Sequence, residues 1–415
     1  MSTPIARLRW QVPFAAATVL LACQSGQERT VLTDEPEVEL LHFGNGEEEL
    51  VTLEECAPAA ELTDALEVRW CRQVSPEPED TGPDPFRCSF NNLLGSLSLE
   101  AADPSTLLLS YCDFDLDGGT RAATVGAETL EHAMLLTTEC VGTPEQGGTV
   151  DQEVDRLALT LRETDDGRLP HLFRFDPDSG LLSEPERVAG FNPATRAALV
   201  DGLQPSLWAL SADRILQHAY VHPDATVTTP QAVLEGVSMW AAAPRGDGTV
   251  VAACEVDGPL TVLHLDATGT PGPEVQLPDC GIDAWPTMAI MDDGRVLVAG
   301  NDSIRTTLTW LDPSLEVLGS TVLPPGSTQA YVVVLDDTFF TVDATGAVHR
   351  WTDVEVGDRL GQIPYLPLPE GTLVALRLVA IDDGLGFAIA KQISSSAGSH
   401  AFLTEYLDVG VVSLP

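Results

Sequence analysis

Three aspartates stand at alternate positions in the run Asp113-Phe114-Asp115-Leu116-Asp117-Gly118. Carboxylates so spaced, with glycine at the sixth place to allow a sharp turn, are what a loop uses to wrap oxygen ligands round a hard cation, so calcium binding is the chemistry this segment could do. The plainer reading is an acidic turn between two strands. Arg121 and Thr124 occupy the ninth and twelfth places, where a further carboxylate would complete the shell. A missing ligand and a neighbouring cation both weaken a calcium site.

The eight cysteines carry the second chemistry. They form no CxxC pair and no Cys/His group at zinc spacing, so bridges are expected rather than metal ligation or thiol redox work. Cys254 ends one apolar run and Cys280 precedes the next, which makes this isolated downstream pair the simplest disulfide to expect. Its closure would contribute on the order of 3 kcal/mol. Cys56, Cys71, Cys88, Cys112 and Cys140 allow two bridges and leave one thiol over, with the pairing open.

Nucleophilic, zinc-protease and nucleotide chemistries find no GxSxG, HExxH, P-loop or GxGxxG in a usable context. His171, His218, His222, His264 and His349 fall on expected third strands of a repeat but share no column. Acid–base or metal work needs convergence on one face, so hydrogen bonding at the surface or between sheets is expected of them instead.

These residues belong to a chain of 415 residues with 63 acidic and 21 basic side chains, a net charge of −42 at pH 7, and 44% hydrophobic residues. The apolar share suffices for a sizeable core and excludes disorder of the whole chain. Nucleic acid is not an expected partner, because phosphate affinity comes mostly from Lys and Arg releasing counterions. No run of 18 apolar residues is available to cross a bilayer as a helix.

Acidic, proline-rich sequence fills residues 24 to about 90, including Glu47-Glu48-Glu49 and Ser75-Pro76-Glu77-Pro78-Glu79-Asp80. Residues 24–50 read as a tether, since such stretches bury too little to offset their ordering entropy. The short apolar pieces Leu50–Leu53 and Leu66–Trp70, near Cys56 and Cys71, suit either a small bridged subdomain or a strand added to the main body.

Beyond residue 90 the texture changes to short Val/Leu/Ala runs separated by Asp, Gly and Pro, the pattern of an all-β chain. Turns recur at Asp201-Gly202, Asp247-Gly248, Asp293-Gly294, Asp337-Thr338 and Asp383-Gly384, at steps of 46, 46, 44 and 46 residues. Asp176, Asp224, Asp266 and Asp312 form a second series that ends apolar runs at steps of 48, 42 and 46. Each unit holds four strand-length runs, for example Thr287–Met291, Arg295–Ala299, Thr306–Leu311 and Glu316–Val322.

A four-stranded unit of that period resembles the blade of a β-propeller. The likeness covers residues 190–415 well and 90–190 loosely, and it implies an all-β ring of about seven blades over residues 91–415, with six or eight open. The run from Asp293 to Gly300 is similar to the opening of a kelch-type blade, but Asn301 replaces that family's second glycine and the other units lack the pattern. Trp240, Trp285 and Tyr331 each precede a turn by six to eight residues, a column expected to pack between blades rather than to stack on sugars. The loop at Asp113, Asp115 and Asp117 resembles calcium loops of EF-hands and of integrin-type blades, which implies calcium as the one cofactor to consider.

The first residues look like an export signal, with Arg7 and Arg9 before the apolar stretch Val12–Ala22. Leu20-Leu21-Ala22-Cys23 resembles the lipobox of bacterial lipoproteins. That resemblance implies a signal peptide over 1–22, a diacylglycerol on Cys23, a membrane partner through acyl chains, and display at the outer membrane or cell surface, since Gln24 follows the cysteine. The expected function is a lipid-anchored envelope propeller that binds or scaffolds a protein or polysaccharide. The alternatives are a hydrolase or lyase acting on extracellular polysaccharide or peptide, and a structural component of an outer-membrane complex.

Overall fold

The computed structural model describes residues 51–56, 62–76, 98–103, 106–113, 119–126, 130–137, 149–151, 156–175, 186–200, 202–222, 224–246, 248–256, 258–278, 286–301, 305–324, 330–352, 357–366, 372–382, 384–397 and 400–415. Every regular element among them is a strand, and the strands form seven antiparallel sheets. Blades 1 to 6 have four strands each and span 98–137, 149–187, 194–234, 237–277, 287–322 and 330–362. Blade 7 has five strands.

The second strands explain why the sequence reads as short unbroken apolar runs. Ser206–Ser211 is buried at every position, and Gly248–Glu255 at all but its last. A sheet with only one covered face would alternate apolar and polar residues; these sheets are covered on both faces, so both parities are apolar. The apolar clusters lie between adjacent sheets: Leu159 and Leu199 join blades 2 and 3, Val262 and Val298 blades 4 and 5, and Val348 and Phe387 blades 6 and 7. Trp208 of blade 3 lies 5.9 Å from Trp240 of blade 4, and Trp310 of blade 5 lies 5.3 Å from Trp351 of blade 6. Trp240 is thus interblade packing, as is the half-buried Tyr331 against the cluster of blades 6 and 7. Trp285 lies outside the described residues.

First strands approach one another in succession from blade 2 to blade 7, and the first strand of blade 7, Thr372–Ile381, lies against the first strand of blade 1, Ser98–Asp103. Blade 7 draws only three strands from the C-terminal part of the chain; its fourth, Val68–Pro76, pairs with His400–Ser413, and Val51–Glu55 adds a fifth. The ring is a β-propeller whose last blade is completed by the front of the chain. Residues 68–76, ahead of the expected start of the propeller at residue 91, supply the fourth strand of blade 7, the strand added to the main body that the Leu66–Trp70 run allowed. Residues 24–50, the expected tether, lie outside the described residues.

Hairpin turns follow one geometry. In Ser211–Arg214, His222–Ala225, Asp266–Gly269, Met291–Gly294, Asp312–Leu315 and Asp343–Gly346 the fourth N–H donates to the first carbonyl, and the fourth residue has φ between 62° and 86°. This is the three-residue loop closed by a left-handed residue, whose twist matches that of the flanking strands.

Candidate binding surface

Of the aspartates that mark the repeat in the sequence, Asp224, Asp266, Asp293 and Asp312 are held by their own turns, and Asp343, outside both series, is held the same way. Asp266 Oδ1 accepts from the N–H groups of Thr268 and Thr270 and from Thr268 Oγ1, at 2.8, 2.9 and 2.6 Å. Asp312 Oδ1 accepts from the amides of Ser314 and Glu316, and Asp343 Oδ1 from those of Thr345 and Ala347. Asp224 does the same for Thr226. Hydrogen bonds from Thr268 and Thr226 hold Asp266 and Asp224 below the usual carboxylate range, and the Arg295 amide does so for Asp293. These carboxylates spend their lone pairs on turn closure, which explains why an aspartate recurs where apolar runs end.

Asp113 closes the strand Thr106–Asp113 and pairs with Gly119 across a hairpin; Asp115 and Asp117 lie outside the described residues. No group of three or more His, Cys, Asp or Glu placed to hold a metal occurs among the described residues. Cys254 is buried on the second strand of blade 4 and disulfide-bonded, while Cys280 lies outside the described residues. Cys56 and Cys71 are bridged, a pairing the sequence left open. Cys112 lies on a blade 1 strand opposite Thr120, and Cys23, Cys88 and Cys140 are outside the described residues.

His171, His218, His264 and His349 sit on third strands of blades 2, 3, 4 and 6, and His222 just follows the third strand of blade 3. They do not converge. His218 is 2% exposed, its ring 4.5 Å from both Trp208 and Tyr220. Its Nε2 has no hydrogen-bond partner, and burial pulls its pKa down to about 4, so it is neutral packing between blades 3 and 4. Tyr220 Oη donates to the Asp266 carbonyl of blade 4. Burial also lowers His349, with Arg359 acting in the same direction and Asp343 opposing. Arg245 of blade 4 donates to the Pro313 carbonyl of blade 5; desolvation lowers its pKa and Asp312 opposes. Each of these shifts has its main cause in a turn or in burial.

Around the axis, half-buried side chains of first strands mix cation and hydrocarbon. Arg196 Nη1 donates to Met239 Sδ at 3.0 Å between blades 3 and 4, and Arg377 Nη1 donates to the Leu376 carbonyl on blade 7.

The blades differ most at their outer edges. Blade 2 ends in the two-residue strand Glu186–Arg187, and blade 3 in Gln231–Leu234. Pro271, Pro273 and Glu274 guard the outer strand of blade 4. Blade 1's outer strand, Leu130–Thr137, carries Glu131 and His132. Blade 6 is capped by a parallel bridge from Ala65 to Gln362, and blade 7 by Val51–Glu55. Blade 5 ends in Val317–Val322, VLGSTV, with no proline and no charge. Val317, Leu318 and Val322 are 51%, 50% and 50% exposed, three of the five exposed large hydrophobics among the described residues. Sequence reading placed this strand but gave no sign that it is an edge uncovered by any described strand, because edge status depends on what else pairs with it.

No protein-family model matches the chain, and no curated protein matches it. Solved structures do. A lectin, BP39L from Burkholderia pseudomallei, is similar with a TM-score of 0.54 at 14% identity, covering 75% of this chain and 98% of its own. The WD40 domain of Toxoplasma gondii coronin gives a TM-score of 0.50 at 11% identity, covering 88% of this chain and 86% of its own. BamB from Moraxella catarrhalis gives 0.42 at 12% identity, covering 86% and 100%. At these identities the likeness to the lectin and the coronin domain is one of fold.

Proposed function

We propose that the chain is an exported, lipid-anchored β-propeller that works as a binding or scaffold module on the bacterial envelope, at the outer membrane or cell surface. The anchor rests on Leu20-Leu21-Ala22-Cys23 behind a basic and apolar leader. Acyl chains on Cys23 would tie it to the membrane at roughly 0.8 kcal/mol per buried CH₂. The observation that carries the binding reading is the accounting of perturbed groups. Asp224, Asp266 and Asp293 are shifted by turn closure, and His218, His349 and Arg245 by burial. Paired catalytic groups drive each other's pKa values apart at one site; among the described residues these six are spread over blades 3 to 6, and each is shifted chiefly by its own turn or by burial. What the ring offers outward is turns and strand edges, which suit a protein or polysaccharide ligand.

Two measurements on the same cells test this. Labelled palmitate should enter the wild type and not Cys23→Ser, and the variant should leave the membrane fraction. The wild type, cross-linked on intact cells, should retain one defined envelope partner or polysaccharide. Unlabelled wild type recovered in the cytosol overturns the anchor, and turnover of an envelope polymer by the purified protein overturns the non-catalytic reading.

A further inference from the structure

The outer strand of blade 5 has its backbone half used. Leu323 N–H donates to the Thr306 carbonyl, and Thr321 and Gly319 stand opposite Leu308 and Trp310. Antiparallel pairs bond through alternate residues, so Gly319, Thr321 and Leu323 turn their amides to the blade. Ser320 and Val322 turn N–H and C=O outward. Val317–Val322 is the last strand of its sheet, so no strand among the described residues receives them. Edges of this kind are ordinarily blunted by proline, charge or a covering segment. Every other outer edge in this ring is short, carries proline or charged residues, or is covered. This edge instead exposes Val317, Leu318 and Val322.

We propose that the Val317–Val322 edge is a docking site for an extended segment of a partner protein, which adds as a fifth strand of blade 5 and alternates apolar with basic residues. The proposal rests on the binding-module reading and names its partner class. Two features of the molecule argue for this occupant. Blade 7 already holds a fifth strand from a distant segment, so a fifth strand fits the outer edge of a blade in this ring. Charge selects the partner: Asp312 and Glu316 lead into the strand, and a net charge of −42 repels a second copy and the chain's own acidic segment between residues 24 and 90 while attracting a cationic strand. Main-chain hydrogen bonds would give affinity, and Leu318 and Val322 would select apolar side chains.

The test is amide hydrogen exchange over residues 317–322 in the full-length protein, alone and with a short synthetic peptide alternating valine and lysine, or valine and glutamate. The lysine peptide should slow exchange at Ser320 and Val322 by about tenfold or more, as pairing of open edge amides does, and the glutamate peptide should not. Ser320→Pro removes an outward N–H and should abolish the effect without changing the thermal midpoint. Val322→Lys, which needs no backbone change, should weaken it. The proposal is overturned if the amides are already protected in the free protein, whether by a second copy (concentration-dependent) or by its own segment (concentration-independent). Equal protection by both peptides, or none by the lysine peptide, overturns it as well. A retained envelope partner alongside any of these leaves the module reading standing and removes only this edge.

Discussion

Asp64 Oδ2 lies 2.7 Å from Arg359 Nη2, tying the loop between Cys56 and Cys71 to the outer strand of blade 6. The same loop exchanges backbone bonds there: Leu66 N–H donates to Gln362 O, and Gln362 N–H to Asp64 O. One short segment thus clasps blade 6 while its flanking strands complete blade 7. The ion pair is about half exposed, so Asp64→Asn should cost no more than about 1 kcal/mol. Gly361→Ala should cost clearly more, about 2 kcal/mol or above, because a Cβ there would meet the Asp64 carbonyl at 2.7 Å. Denaturant midpoints of the two variants check the order.

The Cys56–Cys71 bridge closes a separation of 15 residues, and both cysteines are buried. Cys56→Ser with Cys71→Ser should lower stability by about 3 kcal/mol, with proteolysis appearing first near residues 56–71. A reductant acts on Cys254 as well, so the double serine variant, compared with wild type without reductant, is the cleaner measurement.

Burial of His218 makes stability depend on pH in a defined window. Its folded pKa is about 4 against an ordinary 6.5, so below pH 6.5 the unfolded chain binds a proton the folded chain refuses. Stability then rises with pH between about 4 and 6.5 and is level above, for a total of about 3 kcal/mol. The lowered aspartates act in the same direction but below the ordinary carboxylate range near pH 3.8. Relief of the acidic chain's self-repulsion on acidification is common to wild type and variant. His218→Phe should therefore flatten the difference between pH 6.5 and 4 alone, as read by unfolding at a series of pH values.

The left-handed turn position takes glycine in some blades and other residues elsewhere. Arg214 holds φ 63° on an exposed turn, so Arg214→Gly should stabilise by about 0.5–1 kcal/mol. Gly346 holds φ 83°, and a Cβ there would lie 2.7 Å from that of Leu366, so Gly346→Ala should destabilise by about 2 kcal/mol. Calorimetric midpoints should move in opposite directions.

Much of the ring was legible because it is written locally. Asp293-Gly294 begins a turn of fixed geometry, and the runs read around it match the strands Thr287–Ile290, Val296–Asn301, Thr306–Leu311 and Val317–Val322. Closure was legible only as one of two readings of Leu66–Trp70, and its partner strand was not legible. Val68–Pro76 sits in acidic, proline-rich sequence and finds its partner, His400–Ser413, more than three hundred residues away, for example Cys71 opposite Gly410. No local periodicity encodes that pairing. Blade 6 lacks the second landmark for a similar reason: its Asx turn at Asp343 lies between the second and third strands rather than after the third. His218 read as an unaligned histidine because its role is set by Trp208, Tyr220 and burial, none of which has a spacing rule.

The propeller account depends most directly on Val68–Pro76 being an interior strand of blade 7, flanked by Val51–Glu55 and His400–Ser413. Amide hydrogen exchange on the intact protein measures this. The account predicts that amides of residues 70–74 exchange as slowly as those of residues 385–390 in the same sheet, opening only with the whole ring. Exchange at the rate of a free segment across 70–74, with 385–390 still protected, would contradict it.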